Sequence, residues 1–85
     1  MQAHISISEE IVEELHILLL FNPDSGQEGI KVHQHSATPE AVAAAGRLHA
    51  KGLITQADGG YLTSLGHSAA EHAHALILIL QPRLH

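Results

Sequence analysis

LHAKGLITQADGGYLTSLG, residues 48–66, is the stretch that decides how this 85-residue chain folds. Leu48 and Lys51 close a helix, and Gly52 stands where a helix C-terminus calls for a positive φ. Leu53-Ile54-Thr55 and Tyr61-Leu62-Thr63 are β-prone runs. Between them, Gln56-Ala57-Asp58-Gly59-Gly60 carries an Asp-Gly pair, a strong hairpin-turn signal. Thr63 then caps a new helix. The order is helix end, strand, tight turn, strand, helix start.

Upstream, Thr38-Pro39-Glu40 supplies an N-cap, a proline at the first helical position and an acid in the first turn. It predicts a helix over 39–51 with Val42, Ala45, Leu48 and Gly52 inward. Glu40, Ala43, Ala44, Arg47 and Lys51 form the opposite face, and Gly46 marks a close helix crossing. Ser8 opens a first helix over 8–21, with Ile11, Leu15, Leu18 and Asn22 on its inner stripe. Glu9, Glu13, Glu14 and His16 fall elsewhere and read as a solvated face. Asn22-Pro23 ends this helix. Asp24 with Gln27 and Ser25 with Glu28 form overlapping capping boxes, which predict a short helix over 26–35. The alternative there is an extended segment from Ile30 to His35. A last helix runs over 64–81 and stops at Pro82, with Leu65, Ala69, Ala73, Leu76 and Leu80 toward the core.

Composition sets bounds on this reading. Eighty-five residues make one domain, 1–85, which buries only about 60–65% of its extended-chain surface. There is no cysteine, so neither a disulfide nor a thiolate metal site supplements the core. The N-terminus MQAHISISEE lacks the basic and apolar regions of a signal peptide. The longest apolar runs, Ile17 to Phe21 and Ala75 to Leu80, fall far short of the ~20 residues that span a bilayer. The expectation is a soluble cytoplasmic protein with no membrane partner. Four cationic residues against nine acidic ones give −5, and protonating all nine histidines would carry the chain to +4.

The phrase formed by Leu48, Lys51, Gly52, Leu53, Ile54, Tyr61, Leu62, Thr63 and Gly66 resembles the recognition-helix-and-wing signature of MarR-like and PadR-like regulators. That resemblance implies a winged helix-turn-helix, mostly α with a small β-hairpin. It would comprise four helices (8–21, 26–35, 39–51, 64–81) and a hairpin over 53–63. The whole chain also resembles a small bacterial family of uncharacterised proteins, usually labelled DNA-binding proteins or transcriptional regulators. Phe21-Asn22, residues 27–33, residues 52–55 and residues 59–63 carry that likeness. It implies a small regulator that binds double-stranded DNA.

In such a fold the 39–51 helix enters the major groove. Thr38, Ala43, Ala44, Arg47 and Lys51 would be presented, with Lys31 alongside. Alanine methyls can touch a thymine methyl, Arg47 can make a bidentate contact to guanine, and Lys51 can reach a phosphate. The wing, with Gln56, Asp58, Gly59 and Gly60, carries no cation, unlike most wings that touch DNA. The other reading is a winged-helix protein–protein interaction module that has lost the basic surface. A third is a histidine-dependent sensor of metal or pH. A positive strip along Lys31, Arg47 and Lys51 favours DNA, and a uniformly acidic surface favours a protein.

No enzyme, cofactor or metal site is expected. His72 and His74 lie about 200° apart on a helix and cannot clasp one ion, and no His-x3-His pair exists. Ser25-Gly26 sits in no nucleophile elbow, and the segment 24–29 lacks the Gly-Lys-Ser/Thr of a phosphate loop. Ala75, Leu78 and Ile79 add apolar surface to the last helix, which predicts a homodimer through them. The competing view is that Ile5 and Ile7 fold across this face within one chain.

Overall fold

The computed structural model describes residues 5–25, 28–33 and 35–82. Along the chain run α1 (Glu9–Leu20), β1 (Ile30–Lys31), α2 (Pro39–Ala50), β2 (Ile54–Gln56), β3 (Gly59–Leu62) and α3 (Ser64–Leu80). The strands form one antiparallel sheet in the order β1-β3-β2. Among the described residues there are therefore three helices instead of the expected four, and the hairpin expected over 53–63 is joined by a third strand. The domain is mixed α/β and only loosely compatible with a winged helix.

The difference lies in the segment expected as a helix over 26–35. Gly26, Gln27 and Gln34 lie outside the described residues. Ile30 and Lys31 are extended and pair with Gly60 and Gly59. Val32 N–H then donates to Asp58 O at 2.7 Å. Val32 is buried, Ile30 half-buried and Lys31 exposed, the alternation of a strand with one face inward. The capping boxes lose to this pairing because β-branched Ile30 and Val32 find both backbone partners and core contacts. Gly59 is as necessary as Ile30, since a Cβ there would fall on the carbonyl oxygen of Ile30. The turn itself is displaced by one residue. Gln56 faces Gly59 across the hairpin, so Ala57-Asp58 form the loop, and the positive φ values fall at Gly59 (130°) and Gly60 (73°).

Each helix starts on a hydroxyl side chain. Ser8 Oγ accepts from Ile11 N–H at 3.2 Å, Thr38 Oγ1 from Ala41 N–H at 3.1 Å, and Thr63 Oγ1 from Gly66 N–H at 3.0 Å. α2 ends in a Schellman motif. Gly52 N–H donates to His49 O at 3.0 Å and Leu53 N–H to Leu48 O at 2.9 Å, with Gly52 at φ 80°.

The core joins Ile17, Leu18 and Phe21 of the first helical segment to Val32, Ala44, Ala45, Leu48 and Ile54. α1 and α3 are both rotated from the orientation expected, keeping only Leu18 and Ala73 of the expected inner residues buried. On α1 the buried set is Glu14, Ile17 and Leu18, followed by Phe21, and Ile11 is exposed. On α3 it is Gly66, Ala70 and Ala73, so Leu65, Leu76 and Leu80 point to solvent. Small residues are inward because α3 lies close to its support: a Cβ on Gly66 would fall on the carbonyl oxygen of Leu53. His74 Nε2–H donates to Phe21 O at 2.9 Å, and His67 Nε2 is paired with Pro23 O. These two rings fasten α3 to the end of α1. Ile5 and Ile7 are exposed, so they do not cover α3.

Candidate functional site: the α1–α2 face

α2 was expected to present Thr38, Ala43, Ala44, Arg47 and Lys51. Thr38 is exposed but its hydroxyl is engaged as the N-cap, and Ala43 is exposed. Ala44 is fully buried in the core and cannot reach a ligand. The exposed residues of α2 are Pro39, Glu40, Ala43, His49 and Ala50, and Gly46 is half-buried. No atom approaches within 4 Å of a Cβ placed on Gly46, so this glycine marks open space and not a helix crossing.

Arg47 and Lys51 turn toward α1. Arg47 Nε–H donates to Glu14 Oε2 at 2.8 Å, and Lys51 Nζ pairs with Glu14 Oε1. Arg47 also donates through Nη2 to the backbone oxygen of Glu10 at 3.2 Å. Glu14 is 6% exposed and is the buried charged residue of the described chain. Its position on α1, three residues before Ile17, places it on the packing face. Burial alone pushes its carboxyl up. Hydrogen bonds from Lys51 and Arg47, with their charges, outweigh that and hold it below the ordinary glutamate value of 4.5. One carboxylate thus takes both Arg47 of α2 and Lys51 at the C-cap of that helix.

Lys31 is likewise beside a carboxylate, with Nζ 3.5 Å from Asp58 Oδ2 across β1 and the turn. Of the expected wing residues, Gln56 is exposed, Asp58 half-buried, and Gly59 and Gly60 hold β1 in place. Lys31, Arg47 and Lys51 do not form a free basic strip. On α3, Ala75, Leu78 and Ile79 are all exposed.

An open groove of about 720 Å³ lies between the N-terminal halves of α1 and α2. Val12, Pro39 and Ala43 give it apolar walls. Glu9, Glu10, Glu13 and Glu40 surround it with carboxylates, and Arg47 closes one side. Glu9 and Glu10 also sit in the first turn of α1, and Glu40 in that of α2, where the helix dipole favours the anion. Among the described residues, no group of three or more His, Asp or Glu is placed to hold a metal ion. Among the described residues, no helix is long and apolar enough to cross a membrane.

A family model matches residues 5–81. The chain belongs to DUF5669, a family of unknown function. No curated protein and no solved structure matches it. The match spans all three helices and the sheet, so the α1–α2 face of this DUF5669 chain belongs to the family's unit. Sequence reasoning missed Glu14, which lay among four glutamates within six positions. The available signal was its i, i+3, i+4, i+7 relation to Ile17, Leu18 and Phe21.

Proposed function

We propose that this DUF5669 chain is a winged-helix-like protein-interaction module, and that its α1–α2 groove receives a cationic, amphipathic segment of a partner protein. The observation that carries this reading is the engagement of Arg47 and Lys51 by Glu14. A helix that enters a DNA groove needs its cations turned outward to phosphates and bases. Here both are drawn sideways onto Glu14 of α1, and the groove beside them is bordered by four carboxylates. A strand also stands where the first helix of a helix-turn-helix pair would be expected. Apolar walls at Val12, Pro39 and Ala43 suit one or two aliphatic side chains, and the rim suits the lysines or arginines around them.

The test is a titration with a short amphipathic helical Lys/Leu peptide, followed by backbone amide shifts. Shifts should concentrate at Val12, Glu13, Ala43 and Arg47 and should weaken as salt rises. An oligolysine of equal charge should bind more weakly, because it offers nothing to the apolar walls. Glu13→Lys with Glu40→Lys should remove the response. No shifts at these amides, with shifts on α2 from duplex DNA instead, would reverse the assignment to a DNA reader.

A further inference from the structure

Arg47 is held along one edge only. Its Nε–H donates to Glu14 Oε2 at 2.8 Å and Nη2 donates to Glu10 O at 3.2 Å, and both partners belong to α1. Nε–H and the adjoining N–H of Nη2 make one edge of the planar guanidinium. The other edge, made by Nη1 and the remaining N–H of Nη2, bonds to no acceptor among the described residues. The side chain is 33% exposed and lines the α1–α2 groove. Fixing a long cationic side chain costs rotamer entropy, and here the buried Glu14 and the backbone of α1 have fixed it before a partner arrives. The groove therefore has one preset group of donors within an anionic rim.

The rim decides which acceptor these donors can take. Among the described residues, Glu9, Glu10, Glu13 and Glu40 form no ion pair, so their charges stand uncompensated around the cavity. A further carboxylate or a phosphate brought to Arg47 is repelled by them. A neutral carbonyl oxygen is not. A helix supplies several such oxygens in one place, because its last four C=O groups have no partner within the helix. They also carry the negative end of the helix dipole, which a cation stabilises. The opposite end of a helix, with its free N–H groups, suits carboxylates instead.

We propose that the segment received by the groove is a helix docked in one direction, with the free carbonyls of its C-terminal turn on the open edge of Arg47. This rests on the groove reading given above, and adds to it the partner's secondary structure and polarity. α2 rises about 12 Å from Pro39 to Arg47, so a helix of roughly two turns matches the groove along α2.

The probe is the amphipathic Lys/Leu helical peptide with acetyl and amide ends, carrying a nitroxide at its first or its last residue. With the nitroxide last, loss of amide signal in the wild-type chain should be greater at Arg47 than at Glu40. With the nitroxide first, the order should reverse. Arg47→Lys keeps the charge but cannot present the planar two-donor edge. It should weaken binding by about five- to tenfold and erase the difference between the two labels. A peptide with an added C-terminal aspartate should bind no tighter. Binding with the opposite order of signal loss, or with equal loss from both labels, overturns the proposed polarity and leaves the groove reading standing. Unchanged affinity and polarity in Arg47→Lys does the same, as does tighter binding of the aspartate peptide, which would assign Arg47 to a carboxylate. Absence of binding by every peptide ends both readings.

Discussion

Replacing Glu14 by glutamine removes the charge that joins α1 to α2 and changes little else in shape. Glu14 is buried, and its loss of charge leaves Arg47 and Lys51 without their counter-ion. Their side chains are 33% and 52% exposed, so water takes up much of what the carboxylate gives. The 3–5 kcal/mol typical of breaking a fully buried pair is therefore too large here. Screening of half-exposed partners reduces each charge-assisted bond to about 0.5–1 kcal/mol. Together they give roughly 1–2 kcal/mol, a fall in Tm of roughly 5–15 °C for a domain of this size. The pH dependence has a fixed sign. The folded carboxyl titrates below 4.5, so its stabilisation is complete above 4.5 and is lost as pH falls through the lower, folded value. Thermal melts of wild type and Glu14→Gln should thus differ at neutral pH and converge in acid below 4.5. Equal melting temperatures at neutral pH, or a gap that widens in acid, would refute the role given to this carboxylate.

Three further substitutions probe the scaffold around the site. Gly66→Ala should cost more than about 3 kcal/mol in chemical denaturation, because its methyl meets the Leu53 carbonyl, a backbone atom that cannot swing away. Gly59→Val should lower stability by more than about 2 kcal/mol, since φ is 130° and the new side chain strikes the Ile30 carbonyl. Loss of the β1–β3 amide protection in hydrogen exchange should accompany it. Gly46→Ala, in contrast, should raise stability by about 0.5–1 kcal/mol, because the site is helical and open.

The parts of the fold legible in the sequence are those fixed by a residue's own chemistry. Ser8, Thr38 and Thr63 cap helices because a short hydroxyl reaches the free amides of the next turn. Gly52 takes a positive φ because α2 stops there. What tertiary contact decides was not legible. Ile17 to Phe21 is apolar throughout, and so is Ala75 to Leu80, so neither run names its inward face. The choice falls to the partners: Arg47 and Lys51 draw Glu14 inward, and the Leu53 carbonyl admits only the side of α3 that carries Gly66. β1 is two residues long and owes its existence to the backbone of Gly59 and Gly60, almost thirty positions away. The candidate site shifted for the same reason. Once α2 is set by its packing, Ala44 is inside and Arg47 and Lys51 belong to Glu14.

Whether Arg47 and Lys51 are offered to nucleic acid is read most directly from the anisotropy of a labelled mixed-sequence duplex titrated with the wild-type chain at low salt. With both cations held by Glu14, no saturable binding is expected up to high micromolar protein. Saturable binding that falls with salt, with a log–log slope of about −0.9 per phosphate neutralised, and that flattens in Arg47→Ala, would contradict it.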